Sequence, residues 1–164
     1  MACVETATGK VRWQKSLRSE FSGLPGTWAY AESPLIDGDV VVATPGGSQA
    51  TMVALNKKTG AVIWKSAVPG GDPAGYASAI IVECGGRKQY VQFLGKGVVG
   101  VDAKTGQFLW RYDQTSKGPA NIPSLVARDS YVYSTARSLG AAGLIGLKGA
   151  KSRPGGSRNG AGLL

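Results

Sequence analysis

Histidine does not occur in this 164-residue chain. Its absence removes the commonest general base and metal ligand, and with it any Ser-His-Asp or Cys-His nucleophile system. Cysteine is scarce: Cys3 and Cys84 stand far apart and give no metal-ligand spacing. No stretch approaches the roughly 18 consecutive apolar residues of a membrane-spanning helix. The opening residues Met1-Ala2-Cys3-Val4-Glu5 carry neither the basic nor the apolar region of a secretory signal. No Gly-rich loop leads into a helix, so a phosphate cradle has no support. Charge is sparse, at 18% of residues, and the carboxylates Asp37, Asp39, Asp102 and Asp129 fall at turns, which accounts for them without catalysis.

Glycine, by contrast, is abundant. With 25 glycines and 43% apolar residues, the chain suits many short strands and tight turns better than a helical bundle. Its net charge of +9 is unevenly spread. Residues 1–136 hold 14 Lys/Arg against 10 Asp/Glu, while the last 28 residues add Arg137, Lys148, Lys151, Arg153 and Arg158 and no acid. A basic tail can replace phosphate counterions. The excess does not spread over a folded face, however, which argues against nucleic acid as the partner.

One ten-residue phrase recurs three times and ends in tryptophan each time. It runs from Val4 to Trp13, from Leu55 to Trp64 and from Val101 to Trp110, with the tryptophans 51 and 46 residues apart. A period near fifty is the mark of a solenoid or a propeller. Within each period the β-branched and aromatic runs suggest four strands. In the first full period these are about 33–36, 39–44, 51–55 and 61–65; in the second, about 77–83, 89–94, 98–102 and 107–111. A third begins with about 122–127, 130–135 and 144–148.

Turn residues recur in register, as in Asp37-Gly38, Gly85-Gly86 and Arg128-Asp129. The Thr-Gly phrase forms the last corner. Glu5, Asn56 or Asp102 starts a short turn, and Gly9, Gly60 or Gly106 closes it in the left-handed region. Trp13, Trp64 and Trp110 follow at a fixed offset, which implies one repeated packing role and an acceptor for each indole N–H.

These residues resemble the quinoprotein (pyrroloquinoline-quinone-like) β-propeller repeat family. Its tryptophan-docking motif is roughly Ala-x-Asp-x-x-Thr-Gly-x-x-x-Trp, most closely matched from Gly100 through Asp102, Thr105 and Gly106 to Trp110. Asn56 and Glu5 replace the Asp in the other copies. The Gly-His and Trp-Asp marks of WD40 blades are missing. The resemblance implies an all-β fold, a partial β-propeller of four-stranded antiparallel blades. It divides the chain into the end of a blade over 1–16, full blades over 28–66 and 74–112, and an incomplete blade over 119–148. A basic, Gly-rich tail over 149–164, expected to be disordered, follows. Since propellers close with 4–8 blades, the chain reads as part of a larger ring whose open edges invite self-association.

The resemblance also frames function. One reading is a non-catalytic binding or scaffold propeller, whose partner is another protein or the remaining blades, in the periplasm or cell envelope. The alternative is part of a quinone-dependent alcohol or sugar dehydrogenase, with pyrroloquinoline quinone and Ca²⁺ held mostly by residues outside this chain. No catalytic, metal or cofactor residue stands out. The segments leading into each first strand are the candidate binding rim, with Trp28, Tyr30, Glu32, Tyr76 and Asn121. Those aromatics could equally cover a neighbouring blade.

Overall fold

Each sequence period folds as a meander of adjacent antiparallel strands. The computed structural model describes residues 1–116, 120–136 and 141–147. A two-stranded sheet comes first, made of β1 (Ala2–Val4) and β2 (Val11–Gln14). One four-stranded sheet follows from β3 (Leu35–Asp37), β4 (Val40–Ala43), β5 (Met52–Asn56) and β6 (Val62–Ser66). A second is built from β7 (Ile80–Cys84), β8 (Arg87–Phe93), β9 (Val98–Asp102) and β10 (Phe108–Tyr112). The last sheet contains β11 (Val126–Arg128), β12 (Tyr131–Thr135) and β13 (Ala142–Gly146). Every pairing is antiparallel and joins strands adjacent in sequence. This is the blade arrangement of a β-propeller. Positions 137–140 and 148–164, including the basic tail, lie outside the described residues.

The strands read as near-continuous apolar runs because both of their faces are buried. On β4, Val41 and Ala43 face the first sheet while Val42 faces the third; on β8, Tyr90 faces back and Val91 and Phe93 face onward. Side chains alternate between faces along a strand, so successive residues feed successive interfaces. The result is three apolar seams, one between each pair of neighbouring sheets. Val53, Leu55, Val91, Phe93, Val99 and Val101 are wholly enclosed.

Two local features differ from expectation. A single-turn helix, α1 (Leu17–Glu20), follows β2; the Ser16 hydroxyl accepts from the Ser19 N–H (3.2 Å), and the Glu20 carboxylate accepts from the Ser16 N–H (2.8 Å). This cap holds Leu17 and Phe21 in the first seam. The first strands also start later than the β-prone runs. Ser33 and Ala77 give backbone groups to side chains instead: the Ser33 N–H donates to Ser78 Oγ ahead of the next sheet (2.9 Å), and the Ala77 carbonyl accepts from Gln92 Nε2 of its own sheet (2.9 Å).

Candidate functional site

The Thr-Gly turn closes alike in all three copies, and its first side chain caps backbone N–H groups in the second and third. The carboxamide of Asn56 accepts from the backbone N–H groups of Lys58 and Thr59 (2.9 and 3.1 Å), and Asp102 accepts from those of Lys104 and Thr105 (3.0 and 2.9 Å). The closing glycine N–H returns to the carbonyl of Glu5, Asn56 or Asp102, each at 2.8 Å. Gly9, Gly60 and Gly106 all have φ between +71° and +73°. Just beyond, each third–fourth strand pair shifts register at the residue before the tryptophan. Cys3 faces Trp13, Ala54 faces Trp64 and Gly100 faces Trp110, leaving Arg12, Ile63 and Leu109 unopposed. A bulge of this kind bends the strand and re-aims the following side chain.

The re-aimed indoles of Trp13 and Trp64 reach the next sheet. Trp13 Nε1–H donates to the Lys57 carbonyl (2.9 Å), and Trp64 Nε1–H to the Ala103 carbonyl (3.2 Å). Lys57 and Ala103 are the same position of successive motifs, one residue past Asn56 and Asp102. Each ring also lies against the next turn's glycine. A Cβ on Gly60 would sit 2.8 Å from Trp13 Cδ2, and one on Gly106 would sit 2.6 Å from Trp64 Cε3. Glycine therefore serves both the left-handed backbone and the bare surface the indole needs.

Trp110 departs from this pattern. Its N–H donates to Gln89 Oε1 within its own sheet (2.7 Å), and the ring lies flat over Gly100, where a Cβ would fall 2.3 Å from Cε2. It still packs at the edge of the third seam. The stretch corresponding to the receiving turn, 148–152, lies outside the described residues.

The rim residues are mostly turned inward. Tyr30 donates its hydroxyl to the Pro45 carbonyl (3.0 Å) and borders the first seam. Asn121 is buried, its amide donating to the Leu94 and Gly95 carbonyls (2.7 and 3.1 Å). Glu32 accepts from the Thr44 N–H (2.5 Å), the Thr44 hydroxyl (2.7 Å) and Gln92 Nε2 (3.2 Å). Burial raises its carboxyl above the ordinary range, and the Thr44 donors only partly counter this. Gln92 is fully enclosed, and its Oε1 has no partner.

Trp28 is the exception on the rim, 64% exposed. Its N–H donates to Tyr76 Oη (3.2 Å), and the two rings lie 5.6 Å apart at 59°. The structure thus brings Trp28 together with Tyr76, and Glu32 together with the same next sheet, while Tyr30 and Asn121 serve packing. Sequence reasoning missed Thr44 and Gln92, single polar residues at the end of one apolar run and inside another.

Other polar links strengthen the seams. Asp37 accepts from Lys88 Nζ (3.0 and 3.1 Å) and Tyr90 Oη (2.8 Å) across the two full sheets, and the Lys88 ammonium holds its carboxyl below the usual range. Asp72, buried, faces Arg111 Nη2 at 2.7 Å, yet Oδ2 makes no well-angled hydrogen bond; burial pushes its carboxyl up despite the guanidinium. A cleft of about 890 Å³ opens beside β1, lined by Val4, Trp13, Pro34, Ile36 and Val41 with Lys57 and Lys58 at its margin. On the outward face of the last sheet Val126, Tyr131, Tyr133 and Leu144 are exposed.

Comparison with known proteins joins these observations. The family described as outer membrane protein assembly factor BamB matches residues 1–140, which include all three tryptophan phrases. The chain belongs to this family. A BamB structure from Moraxella catarrhalis superposes with a TM-score of 0.58 at 19% identity, covering 88% of this chain and 39% of that one. The computationally designed protein Ika8 superposes with a TM-score of 0.49 at 15% identity, covering 89% and 39% of the two chains. No curated protein matches in sequence. The chain thus spans 39% of the BamB structure it resembles, and the shared feature is the β-propeller fold. No helix among the described residues is long and apolar enough to cross a membrane.

Among the described residues no three His, Cys, Asp or Glu side chains gather as ligands. Glu32 accepts from Thr44 and Gln92, and Asn121 directs its amide nitrogen, a donor, at the rim carbonyls.

Proposed function

We propose that this chain forms part of a non-catalytic, partner-binding β-propeller of the bacterial cell envelope, acting as BamB-like proteins do in outer membrane protein assembly. The observation that carries this reading is how the polar groups are used. Asn56, Asp102, Asp37, Asn121 and Glu32 all serve turns or seams, so the repeat yields a stiff platform with no assembled acid–base pair among the described residues. Among what the platform offers to solvent are three apolar surfaces: the exposed Trp28 at the rim, the cleft along β1, and the outward face of the last sheet with Val126, Tyr131 and Tyr133. In the intact ring further blades cover the last two surfaces, and the rim meets a protein partner.

The test is in-cell crosslinking in a bacterium carrying the full-length ring, with a photoreactive residue at position 28. The expected result is a crosslink to an envelope protein in the periplasmic fraction. A cytosolic distribution, or quinone-dependent alcohol oxidation by the purified ring, would overturn the reading.

A further inference from the structure

The lead-in segment 28–33 crosses the seam between the two full sheets and is fastened there at three points. The Trp28 N–H bonds to Tyr76, the Ser33 N–H to Ser78, and Glu32 to Gln92. Beyond this fastening, two features of the segment bear on what the rim can take up. Trp28 is held outward by a tight turn in which Ala29 takes φ +63°, a strained value for a residue with a Cβ. The turn is closed by the Ala29 N–H to Gly26 carbonyl bond (3.0 Å), and Gly26 lies so close to Tyr76 Oη that a Cβ there would come within 2.3 Å. The aromatic pair is therefore fixed in place before any ligand arrives.

Glu32 is the second feature. Its partners are neutral: the Thr44 N–H and hydroxyl from its own sheet and Gln92 from the next. Tyr30, on the same segment, is titratable, but its hydroxyl is engaged with the Pro45 carbonyl; Arg18 acts on Tyr30 from α1. No cation pairs with Glu32 among the described residues, whereas Asp37, Asp39, Asp72, Asp102 and Asp113 each have one. A desolvated carboxylate without a counter-charge gains from any cation that reaches it.

We propose that the rim over this seam takes an arginine side chain of a partner polypeptide, its guanidinium stacked on the Trp28–Tyr76 pair and its charge directed at Glu32. Arginine fits better than lysine because its planar, weakly hydrated cation stacks on aromatic faces and still hydrogen-bonds a carboxylate. Charge complementarity selects a basic segment over an apolar or acidic one. The assignment rests on reading the chain as a binding propeller.

Calorimetric titration of the chain with a blocked tri-arginine peptide, at fixed low ionic strength, tests it. Binding is expected in the wild type, with affinity at least tenfold weaker in Glu32→Gln and in Trp28→Ala, and falling as acid protonates Glu32. Blocked tri-glutamate should not bind. Absence of tri-arginine binding, or wild-type affinity in Trp28→Ala or in a folded Glu32→Gln, overturns the assignment. Trp28 is exposed, so Trp28→Ala decides the matter even if Glu32→Gln fails to fold. Failure of tri-arginine to bind, with the position-28 crosslink intact, removes the arginine site and leaves the partner-binding reading standing.

Discussion

Replacing Trp64 by alanine removes a side chain that is 9% exposed and lies against Gly106 and Tyr90 of the next sheet, with the Tyr90 ring 6.2 Å away. Truncating a buried aromatic to alanine costs about 3–5 kcal/mol when the cavity cannot collapse. The flanking strands are hydrogen-bonded ladders, so collapse is restricted at this seam. The change also deprives the Ala103 carbonyl of its indole donor, although Ala103 is partly exposed and water can replace it. The expected loss is therefore about 3–5 kcal/mol rather than more. That is a large share of the roughly 5–15 kcal/mol that holds a domain folded. Trp64→Phe keeps most of the ring and loses the hydrogen bond, for about 1–2 kcal/mol. Trp28→Ala, on the exposed rim, should stay within about 0.5 kcal/mol. Urea unfolding followed by circular dichroism measures all three. A Trp64→Ala loss below about 1 kcal/mol, or one equal to that of Trp28→Ala, would refute the interpretation of Trp64 as an inter-sheet clasp.

Two further expectations separate causes that a single variant would merge. Gly38 and Gly60 both have positive φ, but a Cβ at Gly38 meets nothing within 4 Å while one at Gly60 strikes the Trp13 ring. Gly38→Ala should then cost about 1–2 kcal/mol for the left-handed backbone alone, and Gly60→Ala measurably more; equal midpoint shifts in urea would remove the steric part. Glu32 gives a pH signature. Its folded carboxyl titrates above the ordinary 4.5 because of burial, so the native state binds the proton more tightly than the unfolded chain. Its contribution is fully present below that ordinary value and is lost as pH rises through the folded one. The wild type should gain stability on going from neutral to mildly acidic pH, and Glu32→Gln should lack that component; coincident pH profiles would sink the idea.

Much of the architecture is legible along the chain because the repeat states it three times. The Thr-Gly corner, the apolar runs on either side and the offset to tryptophan all follow from local backbone chemistry, and local chemistry is what a sequence displays. What was not legible depends on the neighbouring sheet. Trp110 matches Trp13 and Trp64 in sequence, yet Gly100 beneath it and Gln89 beyond it turn the indole over its own sheet. Asn121 and Tyr30 look like rim ligands until the carbonyls of Leu94 and Pro45 are placed beside them. Gln92, within Tyr90-Val91-Gln92-Phe93, carries no periodic signal; its role exists only because Glu32 and Thr44 arrive from the preceding sheet. The helix α1 is one turn long, too short for a periodicity to reveal.

The most direct examination of the inter-sheet clasp is a double-mutant cycle on Trp64 and Gly106, which sit on neighbouring sheets 42 positions apart in sequence. With the indole present, Gly106→Ala suffers both the left-handed backbone, at φ +73°, and a Cβ 2.6 Å from the ring. With Trp64 already alanine, only the backbone part, about 1–2 kcal/mol, should remain. A coupling energy of about 1 kcal/mol or more between the two substitutions is the predicted result. Additivity to within about 0.5 kcal/mol would mean that the ring and the glycine do not meet, and that the indole does not clasp the two sheets together.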